Sequence, residues 1–209
     1  MSTPLLPGIE KPRGTYFLWR AELASEVVFL ACVEVKDQVL ALAAINKSGS
    51  YQLLALNASD GSRVASGPES PYRPYGLAAV GQYLAVAAEG EGAYLLAVYN
   101  SSLRPVYTRK FSTQLEGPWA APGGLVVLAV NDTLIGFSVD EMRDRWTTVL
   151  AGADELSALP LEEDIAVLWH QGCSWALGLV SPDDGSIRAS RGLGLAWASV
   201  ASLAPYDRG

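Results

Sequence analysis

The chain has 209 residues, half of them hydrophobic and 18% charged, with a formal net charge of −7. That balance excludes a disordered chain, which needs low hydrophobicity and high charge, and supplies enough apolar surface for one well-buried domain or two very small ones. It also argues against an open nucleic-acid surface. Phosphate binding needs clustered Lys and Arg, and the nearest approach to a cluster here is Arg104, Arg109 and Lys110.

The first residues carry Pro4, Pro7 and Pro12 and lack the basic start and apolar middle of a secretory signal. Residues 1–14 therefore read as a tail, and a cytoplasmic location is expected. The run Thr15 to Arg20 reads as an outer strand bearing Trp19. Two longer apolar runs follow, Val27 to Val33 and Val39 to Ile45, interrupted by Glu34, Lys36 and Asp37. Neither approaches the roughly 18 residues needed to cross a bilayer, so no membrane span is expected.

From there the chain repeats. Segments beginning at Leu53, Leu95, Leu134 and Ala176 start 42, 39 and 42 residues apart, and each runs from an apolar strand into a polar turn. Asp60-Gly61 and Asp184-Gly185 are hairpin dipeptides, because Gly accepts the positive φ such turns demand. Before each segment lies a second apolar run: Val39 to Ala44, Tyr83 to Ala88, Val126 to Val130 and Ile165 to Trp169. Before those come runs of small residues around Ala31, Ala78, Ala120 and Ala158, with a fifth copy at Leu195 to Ala198.

Each unit thus reads as a small-residue strand, two apolar strands, a turn and an outer strand. Crowding near a central axis explains the small residues. Continuous apolar runs in the middle strands fit sheets covered on both faces. No helical period persists over ten residues; Ser138 to Trp146, the best attempt, reads as a turn leading into a strand. The expected fold is all-β: a small β-propeller of about four to five four-stranded blades.

The third unit, Leu134 to Trp146, resembles the repeat of pyrroloquinoline-quinone-type propellers. That resemblance implies a strand, a turn, and an outer-strand tryptophan packed between blades. The other units carry Ala65, Tyr107 and Ala189 where the tryptophan would be. It implies architecture and not a quinone-dependent dehydrogenase, since those enzymes are larger rings with a calcium–quinone site; no cofactor or metal is expected.

The units span about 25–66, 75–110, 116–150 and 155–190, with a partial fifth made from 193–206 and 15–22, all in one repeat domain of residues 15–209. Pairing of the N- and C-terminal strands would close the ring; an open array, or completion by another chain, are the alternatives.

His170 is the one histidine, so no Ser-His-Asp or Cys-His set can form without it, and a surface or structural role is expected. The acidic groups Asp140-Glu141, Glu162 to Asp164 and Asp183-Asp184 fall in expected turns. Glu89 to Gly92 reads as a hairpin turn and not a phosphate loop, because it lacks Lys and Ser/Thr. Cys32 and Cys173 read as a buried small residue and an exposed thiol.

All four asparagines, Asn46, Asn57, Asn100 and Asn131, begin Asn-x-Ser/Thr sequences. Turn chemistry explains this in a cytoplasmic chain; glycosylation would place the chain outside the cell. The stretch Gly67 to Tyr75 reads as a long connection whose Tyr72, Arg73 and Tyr75 are candidate interaction residues, along with Trp119 and Trp197 on inner strands. The expected function is a non-catalytic scaffold that binds another protein or itself, with a small-ligand or glycan-binding propeller as the alternative and a quinoprotein-like enzyme as a remote one.

Overall fold

A computed structural model describes residues 22–23, 25–35 and 38–193. All of its regular structure is β, in four antiparallel sheets of four strands each. The first blade is β1 (Glu26–Val35), β2 (Gln38–Lys47), β3 (Ser50–Asn57) and β4 (Arg63–Ser70). The second is β5 (Arg73–Val80), β6 (Tyr83–Gly90), β7 (Ala93–Asn100) and β8 (Pro105–Phe111). The third is β9 (Leu115–Ala121), β10 (Leu125–Val130), β11 (Thr133–Ser138) and β12 (Arg143–Val149). The fourth is β13 (Ala153–Pro160), β14 (Ile165–Gln171), β15 (Ser174–Val180) and β16 (Ile187–Gly192). The expected outer strand at Thr15 to Arg20, the partial fifth unit, the residue 1–14 tail and Trp197 lie outside the described residues.

Every strand pairs with the next in sequence within its blade. First strands then meet across blades, β1 with β5, β5 with β9 and β9 with β13. Small residues on these strands permit that approach. A Cβ at Gly76 of β5 would collide with the Gly117 carbonyl of β9.

Three apolar cores fill the spaces between consecutive blades. Leu42, Leu53, Leu84 and Val86 belong to the first; Ala85, Val98, Val126 and Phe137 to the second; Leu125, Val127, Ile165 and Val167 to the third. Neighbouring residues on one middle strand therefore serve opposite cores, which is why these strands read as unbroken apolar runs rather than alternating ones.

The outer strands fasten one blade to the next. Tyr107 of β8 packs against Phe137 of the third blade, with ring centroids 4.9 Å apart and the planes tilted by 40°. Arg109 Nη1 donates to both carboxylate oxygens of Asp144 at 2.8 Å, linking β8 to β12. Trp146 of β12, 6% exposed, donates its Nε1–H to the Pro182 carbonyl of the fourth blade at 2.8 Å. The inter-blade tryptophan that the resemblance implied is thus in place, and the third-strand partner opposite it is Gly136.

The hairpins between third and fourth strands share one device. Asn57 Oδ1 accepts from the Ser59 amide and Asn100 Oδ1 from the Ser102 amide. In the later blades Ser138 Oγ accepts from the Glu141 amide and Ser181 Oγ from the Asp183 amide. In the Asp-Gly turns, the hydroxyl and amide of Ser62 hold the Asp60 carboxyl below its ordinary range. The amide and hydroxyl of Ser186 do the same for Asp184.

Two expectations need correcting. The stretch 67–75 is not a long connection: β4 runs to Ser70, and β5 begins at Arg73 after two residues. Its prolines fit because the registers slip between Gln52 and Leu54 and between Pro74 and Gly76, so the strands bulge where ladder N–H groups are missing. Cys32 is exposed, as is Cys173, and both are free thiols. Cys32 lies on the first blade's outward face, beside Leu30 (66% exposed), where none of the three cores reaches.

Candidate interaction site

At one end of the blades, each second strand turns into the third through two residues: Ser48-Gly49, Glu91-Gly92, Asn131-Asp132 and Gly172-Cys173. The leading residue of each turn has positive φ, from 52° to 64°. Such turns match the natural twist of the strands, and Gly and Asn adopt them at least cost. The first strands start at this same end, so their opening residues gather beside the turns.

Between the third and fourth blades this end opens into a cleft of about 490 Å³ lined by Gln114, Glu116, Asn131, Asp154, Glu155, Leu156 and Trp175. Gln114 just precedes β9 and Glu116 is its second residue, and Gln114 Nε2 donates to Glu116 Oε1 at 2.7 Å. Asn131 sits in the β10–β11 turn with φ of 53°. Asp154 and Glu155 open β13. Trp175 opens β15 and is 3% exposed, forming the floor rather than the rim.

His170 stands beside the cleft, its Nδ1 2.7 Å from Asp154 Oδ1 and its ring centroid 5.0 Å from that of Trp175. Its side chain is 24% exposed and its Nδ1 is taken up by this pairing. The lining thus carries three exposed carboxylates, Glu116, Asp154 and Glu155, with one imidazole beside it. Cationic groups of a ligand suit it; phosphates do not.

A second cleft, of about 540 Å³, opens at the same end between the first two blades and is lined by Tyr51, Arg73, Glu89 and Tyr94 among others. Tyr75 belongs to this end as well. Its hydroxyl donates to the Leu115 carbonyl at 2.6 Å, fastening β5 to β9. Burial, reinforced by the charges of Glu116 and Glu89, raises its pKa well above the ordinary phenol value. Tyr75 is therefore a neutral hydrogen-bond donor throughout the physiological range.

The candidates named from sequence separate under this geometry. Arg73 and Tyr75 come to the acidic end. Tyr72 is 7% exposed within the core between the first two blades, its hydroxyl 3.1 Å from Glu91 and Lys110 Nζ 5.2 Å from its ring centroid. Its contacts are those of a packing residue. Trp119 packs half-buried against the core between the third and fourth blades. Sequence reasoning missed Glu116, Asp154, Glu155 and Trp175. Each opens a strand, and only the pairing of β9, β13 and β15 brings them to one end.

These four meandering sheets, joined through their first strands and sealed by cores between them, are β-propeller blades. The sequence matches no family profile and no curated protein. Among solved structures, the chain is similar to the computationally designed Ika8 protein, with a TM-score of 0.62 at 14% identity over 91% of this chain and 56% of that one. It is also similar to the β-propeller domain of Myceliophteria thermophila Cps50 (Swd1), at 0.55 and 11% over 83% and 62%. A third similarity is to the dihydro-heme d1 dehydrogenase NirN, at 0.57 and 10% over 78% and 37%. The chain spans less than two thirds of the length of each of these structures, and at such identities the likeness is one of fold.

Proposed function

We propose that this chain is a non-catalytic protein-interaction scaffold whose partner docks at the acidic end of the blades. The observation that carries the reading is the cleft between the third and fourth blades, whose walls come from two rigid sheets and whose three carboxylates face no Lys or Arg of the lining and one histidine beside it, paired with Asp154. A partner segment rich in Lys or Arg complements it, with its long side chains reaching past the rim. Rigid sheets reduce the entropy lost on binding, which is what a scaffold needs.

The test is recovery of partners from native extract on immobilised wild-type chain and on a Glu116→Gln/Asp154→Asn/Glu155→Gln variant. All three side chains are exposed, so the variant is expected to fold. At least one partner should drop about tenfold in the variant, corresponding to about 1.4 kcal/mol of binding. Equal recovery of every partner overturns the reading.

The cleft volume also suits a small polar ligand such as a glycan, which the amide groups of Gln114 and Asn131 favour. That second reading predicts that free oligosaccharide displaces the partner.

The ring is closed, on our reading, by pairing of the terminal strands. Supporting this, Ala43 and Leu54 on the outward face of the first blade are each 1% exposed, yet neither enters the three cores between described blades. Light scattering on a sizing column is expected to give the 22.2 kDa of one chain. A dimer mass would instead indicate completion by a second copy.

A further inference from the structure

The four asparagines raise a question the scaffold reading does not absorb, since each is the first residue of an Asn-x-Ser/Thr sequence. Asn46 is the next-to-last paired residue of β2, opposite Tyr51 and one residue short of the strand end, and Asn131 begins the β10–β11 turn. Asn57 and Asn100 are the last residues of β3 and β7. All four therefore lie at blade ends, and none is fully buried.

Their amides are used asymmetrically. Asn46 Oδ1 accepts from the Gly49 amide at 3.0 Å. Asn57 Oδ1 accepts from the Ser59 amide at 2.9 Å and hydroxyl at 2.7 Å. Asn100 Oδ1 accepts from the Ser102 and Arg104 amides, both at 3.0 Å. Among the described residues no hydrogen bond engages the Nδ2 of any of the four. An N-glycosylated asparagine keeps its carbonyl oxygen and loses one Nδ2 proton, so modification would leave every one of these turn bonds intact.

Capping alone does not demand asparagine here. Ser138 and Ser181 fill the equivalent place in the third and fourth blades, accepting from the Glu141 and Asp183 amides. At Asn57 the hydroxyl two residues on joins the cap, whereas the Asn46 bond goes to the Gly49 amide and the Asn100 bonds to the Ser102 and Arg104 amides.

We propose that Asn46, Asn57, Asn100 and Asn131 are acceptors for N-linked oligosaccharide. The co-reactant is a lipid-phosphate-linked oligosaccharide presented by a transferase. An Nδ2–C1 bond forms and the C1–O bond to the lipid phosphate breaks. The phosphate leaves with the electron pair, and the Nδ2 proton passes to a base of the transferase. The sugars then decorate both ends of the first blade and one end each of the second and third, opposite ends, and leave the fourth bare. Such modification requires exposure of the chain beyond the cytosol, the alternative location raised by the sequence.

The test is peptide mass spectrometry of the protein isolated from its native source. Sugar increments on the asparagine of two or more of the four sequences uphold the proposal; increments at one or none overturn it. A Thr133→Ala variant expressed in the same source should lose one glycan mass at Asn131, while Thr133→Ser should retain it. Asn131 lines the acidic cleft, but mass is read without a partner, so this proposal and the scaffold reading fail separately.

Discussion

Replacing Trp146 with alanine is expected to lower the stability of the fold by about 3–5 kcal/mol, the cost of emptying a large buried aromatic site. Three contacts set this magnitude. The ring covers Gly136 of its own blade so closely that a Cβ there would enter it. Its other edge lies against Gly185 in the Asp-Gly turn of the fourth blade, where a Cβ would come 2.5 Å from Cε3. Its Nε1–H satisfies the Pro182 carbonyl in a buried setting, and an orphaned acceptor costs about 1–3 kcal/mol where water cannot reach it. Urea unfolding followed by circular dichroism measures the change. Trp146→Phe should lose less, because it retains ring packing and forfeits only the hydrogen bond and part of the area. A loss below 1 kcal/mol for the alanine variant would show that the third and fourth blades do not depend on this contact.

Introducing valine at Gly76 is expected to cost about 1–3 kcal/mol or more, with the upper end favoured because the obstacle is backbone. The new Cβ would meet the Gly117 carbonyl and the Pro118 ring of β9, neither of which can rotate aside. Relief requires β5 and β9 to separate, which also strains the Tyr75 bond to the Leu115 carbonyl. A Gly192→Ala variant on β16 is the control. A Cβ there meets nothing within 4 Å, and a change within about 0.5 kcal/mol is expected. If both variants unfold at the same urea concentration as wild type, the first strands are not in the close contact described.

Much of the fold was legible because each blade writes a physical requirement into the chain. The runs Tyr83 to Ala88 and Val126 to Val130 had to be continuous, since alternate residues face different cores. Trp146 identified the outer strand because a large ring there fills the gap between diverging blades. Where reading failed, a local rule met a tertiary exception. Prolines 68, 71 and 74 suggested a long connection, yet register slips in β4 and β5 accommodate Pro68 and Pro74 within strands. Cys32 read as buried because its neighbours are apolar, but its face of β1 points away from the second blade.

The acidic cleft was not legible at all. Glu116, Asp154, Glu155 and Trp175 are spread over 60 positions, and nothing in their spacing links them. What the sequence by itself determined is the unit: apolar middle strands, hairpin turns, small inner residues and four successive complete copies. These follow from steric limits and apolar periodicity, which act over a few residues. What only the tertiary structure decided is which unit faces which, and hence where charges from distant strand starts collect. That depends on blade-to-blade packing between residues some 40 positions apart, and no local preference encodes it.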